Sequence, residues 1–210
     1  MRTFVLALTL AISYPFGLMA TLAQTPPGPV PLEELFRNPS LANVTLSSSG
    51  KYLAATAPHK GRQNLMVMDL ETRKGSLLTA FDNFDVIEVN WVGDERLVFS
   101  LGQANTPTGP GQFDGGGLFV VGRDGSGARR LAPTVRESRD RRQIHRSLEF
   151  ARSIPGSTDE IIASGNQTSV DSEDLYRLNL NTGRTTLLTS GRPADRTFSW
   201  ILDGKLVPRA

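Results

Sequence analysis

The sequence predicts an all-β protein of four-stranded antiparallel sheets, and three observations carry that expectation. A pattern returns along the chain. Ser-Ser-Ser-Gly-Lys-Tyr-Leu-Ala-Ala (47–55) leads into Leu-Met-Val-Met-Asp-Leu-Glu-Thr-Arg-Lys-Gly-Ser-Leu-Leu-Thr (65–79), and this second stretch is echoed at 118–131 and 175–189. The glycines of the echoed turns, Gly75, Gly127 and Gly183, stand 52 and 56 residues apart, the length of one four-stranded sheet with its loops. The runs Leu-Met-Val-Met and Leu-Phe-Val-Val are apolar throughout, as strands are when neighbouring sheets cover both their faces. Repeats of this length, which must stack to bury a core, are the mark of β-propeller blades. The sequence accommodates about three and a quarter blades of an incomplete ring, near 41–80, 85–133 and 147–190, with a fourth starting at 195–210.

Residues 1–23 stand outside that fold. Arg2 precedes an almost unbroken apolar run over 4–12, Tyr14-Pro15 and Gly17 interrupt any helix, and Thr21-Leu22-Ala23 offers small side chains to a signal peptidase. A secretory signal peptide with Gln24 as mature N-terminus is expected; Pro15 and Gly17 argue against the alternative, an uncleaved anchor. Residues 24–40 then form a linker. Its proline-rich part, 24–31, excludes helix and central strand, and 32–37 reads as one helical turn stopped by Asn38-Pro39. The chain contains no cysteine, which removes disulfides, thiolate metal sites, cysteine nucleophiles and a lipid-bearing cysteine. The expectation is a secreted, periplasmic protein with no membrane contact after signal cleavage. A hydrophobic fraction of 39% and a charged fraction of 21% fit a globular chain, and a net charge of +2 gives no basis for a nucleic-acid partner.

Within the first blade, strands are expected near 43–47, 51–57, 64–70 and 75–80. The second takes 86–92, 95–101, 117–122 and 128–132; the third takes 147–153, 159–164, 173–180 and 184–189; a further strand begins at 197–202. Ser49-Gly50, Gly93-Asp94 and Pro155-Gly156-Ser157 mark tight turns after first strands, and Lys74-Gly75, Asp124-Gly125 and Asn181-Thr182-Gly183 mark those after third strands. Longer connections at 58–63, 80–85, 102–116, 133–146 and 165–172 gather at the other end, which is therefore the end expected to meet a partner. The uncovered faces are expected near Leu53 and Val67 in the first blade, and near Ile161, Ile162 and Leu178 in the third.

Candidate sites are few. Asp82, Asn83 and Asp85 lie close together without the spacing or glycine of a calcium loop, and read as a solvated turn. Arg136, Arg139, Arg141, Arg142 and Arg146 alternate with Glu137 and Asp140; such a cluster grips an acidic partner or, more simply, pairs with itself. His59 and His145 fall in inter-strand loops and read as solvated. Trp91 and Trp200 fall on first strands and read as core. No catalytic residue, cofactor site or metal site is expected.

With Ser-Gly-Lys-Tyr-Leu-Ala and Met-Asp-Leu-Glu-Thr-Arg-Lys-Gly-Ser-Leu-Leu-Thr, the blades resemble the repeats of periplasmic TolB-like propellers. They resemble still more the N-terminal propeller of prolyl oligopeptidase family serine peptidases. The opening Pro31-Leu32-Glu33-Glu34-Leu35-Phe36 after a signal peptide is similar to exported dipeptidyl-peptidase and acylaminoacyl-peptidase relatives, and Phe198-Ser199-Trp200-Ile201-Leu202-Asp203-Gly204 resembles the start of a middle blade there. The resemblance implies as partner an α/β-hydrolase domain in a further segment of roughly 250 residues, with peptides as substrates. That domain carries the Ser-Asp-His triad, and the propeller selects substrates by size. No serine of this chain lies in a Gly-x-Ser-x-Gly elbow: Ser126 has Asp124 and Ala128 where the glycines belong. Some family members hold a substrate's amino terminus with acidic propeller residues, but no family motif surrounds Glu173 and Asp174. The alternatives are a TolB-like scaffold for envelope proteins and a fragment without independent function.

Overall fold

A computed structural model describes residues 40–103, 114–191, 197 and 199–209. The signal peptide and the helical turn expected at 32–37 lie outside the described residues. Blade 1 consists of β1 (Ala42–Leu46), β2 (Tyr52–His59), β3 (Arg62–Asp69) and β4 (Gly75–Leu77). Blade 2 consists of β5 (Asp85–Val92), β6 (Arg96–Gly102), β7 (Gly116–Gly122) and β8 (Arg129–Ala132). Blade 3 consists of β9 (Leu148–Ser153), β10 (Glu160–Gly165), β11 (Asp174–Asn179) and β12 (Thr185–Leu187). Each sheet runs in sequential order with antiparallel neighbours, as propeller blades do, and no ring closes among the described residues.

Blade 2 shows why its strands read as unbroken apolar runs. Successive side chains leave a strand on opposite faces. Trp91, Leu97, Phe99 and Val121 therefore enter one core with Ala54, Leu65 and Val67 of blade 1. Val92, Val98, Leu118 and Val120 enter a second core with Ile161, Tyr176 and Leu178 of blade 3. Each fully buried Leu or Ile there contributes about 1.5–3 kcal/mol of transfer free energy. This corrects the expected faces: Val67, Ile161 and Leu178 point into the inter-blade cores. The uncovered face of blade 1 instead carries Leu46 opposite Leu53, Leu53 opposite Met68, and Met66 opposite Leu77. Ile162 lies on the far face of β10 between Arg152 and Arg177.

The outer strands β4 and β12 are shorter than expected because a threonine hydroxyl takes over the ladder. In blade 1, Leu65 N–H donates to Thr79 Oγ1 (2.9 Å), whose own proton goes to Asn64 Oδ1 (2.9 Å). Blade 3 repeats the arrangement with Leu175 N–H, Thr189 Oγ1 and Asp174 Oδ1 (3.2 and 2.9 Å). Blade 2 lacks it, with Gly117 and Ala132 at the matching positions.

Four further expectations need correction. Gly75 is not the turn residue: Arg73 (φ 58°) holds the left-handed position that Gly183 (φ 74°) takes in blade 3. The physical repeat is set by Asp69 Oδ1 accepting Thr72 N–H (2.8 Å) as Asn179 Oδ1 accepts Thr182 N–H (2.9 Å), an offset of two residues from the glycine spacing. The expected loop at 58–63 is a two-residue hairpin turn, with Lys60 and Gly61 both at positive φ (51° and 75°) and His59 paired with Arg62. The segment 133–146 holds a helix, α1 (Val135–Asp140). The strand expected at 197–202 is reduced to β13 (Ile201–Leu202), which among the described residues pairs only with β14 (Pro208–Arg209) around Asp203.

Candidate functional site

The two ends of the blades differ in what they leave free. At the tight-turn end, neighbouring blades are tied together. Ser49 N–H donates to Asp94 Oδ1 (2.9 Å), and the Ser49 backbone and hydroxyl donors hold the Asp94 carboxyl below its ordinary value. Arg123 pairs with Glu95 (3.1 Å) and stands 4.3 Å over the Tyr52 ring, Arg96 pairs with Asp159 (3.2 Å), and Arg129 donates to the Asn181 carbonyl. At the long-loop end, blade 2 replaces the threonine lock with a built loop, and this is where the candidate site lies.

That loop starts from α1. Thr134 and Glu137 form a reciprocal capping box, with Thr134 Oγ1 accepting Glu137 N–H (3.2 Å) and the Glu137 carboxylate accepting Thr134 N–H (2.9 Å). Asp114 clamps the helix from the preceding connection. Its Oδ2 accepts Arg136 Nε (3.1 Å) and Nη2 (2.8 Å), and its Oδ1 accepts Arg139. The two guanidinium groups, Arg136 first, lower the Asp114 pKa. Val135 N–H and Arg136 N–H donate to the Gly115 and Asp114 carbonyls (2.9 and 3.1 Å). At its C-terminus, Gln143 N–H reaches Ser138 O and Arg142 N–H reaches Arg139 O (both 2.9 Å), a Schellman closure with Arg142 at φ 54°.

Ser138 and His145 come together under this helix, with 3.0 Å between Oγ and Nδ1. The pair has the composition of a nucleophile and its base, but Ser138 Oγ is also within 3.2 Å of the Thr134 carbonyl. With the hydroxyl proton on that carbonyl, the ring donates to the hydroxyl and offers it no lone pair. Ser138 is also 4% exposed. His145 is thus a brace, not the solvated residue expected, and burial lowers its pKa. Arg146 Nη1 donates to Asn166 O (2.7 Å), while Asn166 Oδ1 accepts Ser147 N–H (2.7 Å) and its amide donates to His145 O (3.2 Å). The segment 134–147 is therefore pinned at both ends.

The structure divides the arginine cluster. Arg136, Arg139 and Arg146 are engaged, Glu137 pairs with Arg130, and among the described residues Arg141 and Arg142 form no ion pair. Asp82 and Asn83 are exposed, whereas Asp85 is buried and accepts Gln63 N–H (2.7 Å) and Arg62 (3.3 Å), so the three form no common site. Asp174 is buried in the threonine lock, apart in role from Glu173, whose backbone meets Thr197 O (2.8 Å) and the Trp200 indole (2.8 Å). Trp91 is core, with its indole N–H on Thr45 O (3.2 Å); Trp200 belongs to neither core. Ser126 is a turn residue bonded through its N–H to Asp124 Oδ1 (2.9 Å). His59 ends β2. Sequence reasoning missed Asp114 and Ile144; the Thr134-x-x-Glu137 spacing was the available signal for the helix they flank. The first strands β1, β5 and β9 line an open cleft of about 540 Å³ that includes Asn43, Glu88, Asn90 and Phe150. Among the described residues no group of three or more His, Cys, Asp or Glu is arranged to hold a metal ion, and no helix is long and apolar enough to cross a membrane.

No family model and no curated protein matches the chain. Solved structures do. It is similar to oligogalacturonate lyase in complex with manganese, at a TM-score of 0.51 and 12% identity, over 73% of this chain and 43% of that one. It also aligns with TolB from Acinetobacter baumannii (TM-score 0.45, 12% identity, 71% of this chain and 32% of that one). A third match is Pyrococcus horikoshii acylaminoacyl peptidase (0.48, 16%, 71% and 25%). The likeness to the lyase is one of fold. The chain spans less than half of each of these structures.

Proposed function

We propose that this chain is the non-catalytic propeller of an exported serine peptidase of the prolyl oligopeptidase type. In this reading, 1–23 is the signal peptide, 24–40 the linker and 41–210 the propeller portion. The triad belongs to an α/β-hydrolase domain that meets the long-loop end, and the blades admit only short peptides to it. The observation that carries the reading is the blade repeat together with its opening, Pro31-Leu32-Glu33-Glu34-Leu35-Phe36. The unlike ends support it. At the tight-turn end Arg96 pairs with Asp159 and Arg123 lies over Tyr52 of the neighbouring blade, and the long-loop end presents an arginine-bearing loop outward.

The physical basis of gating is exclusion. A rigid ring of blades over a catalytic cleft gives long chains a large entropic cost of threading, whereas short peptides enter intact. The purified chain alone is expected to give background rates on aminoacyl-proline and acyl-alanine chromogenic substrates. Joined to its hydrolase, it is expected to spare long peptides and leave cleavage of short ones intact. Equal cleavage of long and short peptides with and without the blades would overturn the reading. The TolB-like scaffold reading, which the same repeat carries, then takes its place.

A further inference from the structure

We infer that the loop over 141–146 is a docking element for an acidic protein segment bearing an apolar side chain. The inference deepens the proposed function, on which it rests only for the choice of the long-loop end as the partner-facing one. Four observations converge. The segment 135–146 holds five arginines against two carboxylates, a net +3 in a chain whose total is +2, so the positive charge of the molecule is concentrated here. Two of those arginines, Arg141 and Arg142, are exposed and form no ion pair among the described residues. Between them and Arg146 in the chain stands Ile144, an apolar side chain that is 69% exposed. Arg142 occupies the left-handed helix-end position (φ 54°) that glycine fills with least strain.

The loop is also held still. The Schellman closure, the His145–Ser138 hydrogen bond and the Arg146–Asn166 bond fix it on both sides. A rigid element loses little conformational freedom on binding, which is the condition for tight recognition by few residues. Arginines around an apolar anchor form the residue pattern of interface hot spots. Free guanidinium groups pair bidentately with carboxylates. A bare polyanion would leave Ile144 without a contact, so the chemistry fits an acidic polypeptide that offers both carboxylates and an apolar side chain.

The test is fluorescence anisotropy of the purified chain with a short labelled peptide alternating Glu and Leu, beside an all-Glu peptide and a heparin fragment. Binding is expected for the Glu/Leu peptide, weakened about tenfold or more by R141E/R142E and by I144D, with unchanged melting temperatures because all three side chains are exposed. R142G is the decisive variant: glycine relieves the left-handed strain, so the melting temperature rises while binding weakens. An Arg142 that served the fold alone would leave binding unchanged. No binding of the Glu/Leu peptide, equal binding by the variants, or equal affinity for heparin would each overturn the inference. Peptide binding that vanishes in the variants would uphold it even where the size-selection experiment fails.

Discussion

Replacing Thr189 by valine keeps the side-chain volume and removes the hydroxyl that joins Leu175 N–H to Asp174 in blade 3. The lost bond to the backbone N–H contributes about 0.5–1.5 kcal/mol, and leaving that buried N–H without a partner adds about 1–3 kcal/mol. The bond to a carboxyl group is worth about 1.5–3 kcal/mol by itself. The terms overlap, since one group serves both, and a net loss of about 3 kcal/mol follows for T189V. The matching change in blade 1, T79V, strikes a carboxamide that keeps the Phe81 N–H (2.7 Å), so its loss is about 2 kcal/mol. For a domain of this size, each kcal/mol moves the melting temperature by about 2–4 °C. Thermal denaturation followed by circular dichroism should therefore show T189V melting about 6–12 °C lower and T79V about 4–8 °C lower. A loss under about 1 kcal/mol in both, or a larger loss for T79V, would refute the claim that the threonine closes the outer edge of blades 1 and 3.

Leu178→Ala removes a side chain sealed between blades 2 and 3 and is expected to cost about 2–5 kcal/mol, whereas Leu77→Ala, on the uncovered face of blade 1, changes stability by about 0.5 kcal/mol or less; urea titrations compare the two. His145 has a folded pKa below its unfolded value near 6.5, so its neutral form contributes stability above that pH, lost as pH falls through the lower folded value. The wild type should lose more stability than His145→Gln between pH 6.5 and 5, and equal slopes would refute a ring buried in its neutral form. Asp94 and Asp114, with lowered pKa values, contribute stability present above the unfolded carboxyl value and lost only in more acidic solution, which keeps the two windows apart. The face carrying Leu46 (56% exposed) and Leu77 (43% exposed) should drive self-association of the purified chain, seen by light scattering with size-exclusion chromatography and reduced by Leu46→Lys; a monodisperse monomer would count against it.

Most of the fold was legible in the sequence because four-stranded blades repeat their own pattern. The period-two alternation of Leu97, Val98 and Phe99 is hidden in a run apolar at every position, yet that continuity itself announces a sheet covered on both faces. What could not be read was which face each residue takes. Register decides that, and a β-bulge between Val86 and Glu88 shifts it without a composition signal. The glycine spacing misled by two residues at Gly75, since Arg73 accepts the left-handed conformation once Asp69 caps the turn. At the candidate site, the arginines were visible, but their division was not. Asp114 is distant in sequence from Arg136 and Arg139, and only the folded loop shows which guanidinium groups it occupies and which it leaves outward.

The central claim, that these blades serve a hydrolase, is tested most directly by reading the coding DNA past the codon for Ala210. The account predicts an in-frame continuation of roughly 250 residues, the size of a further domain, that contains a Gly-x-Ser-x-Gly elbow followed by an aspartate and a histidine. A stop codon directly after Ala210, in a transcript that is otherwise intact, would contradict it.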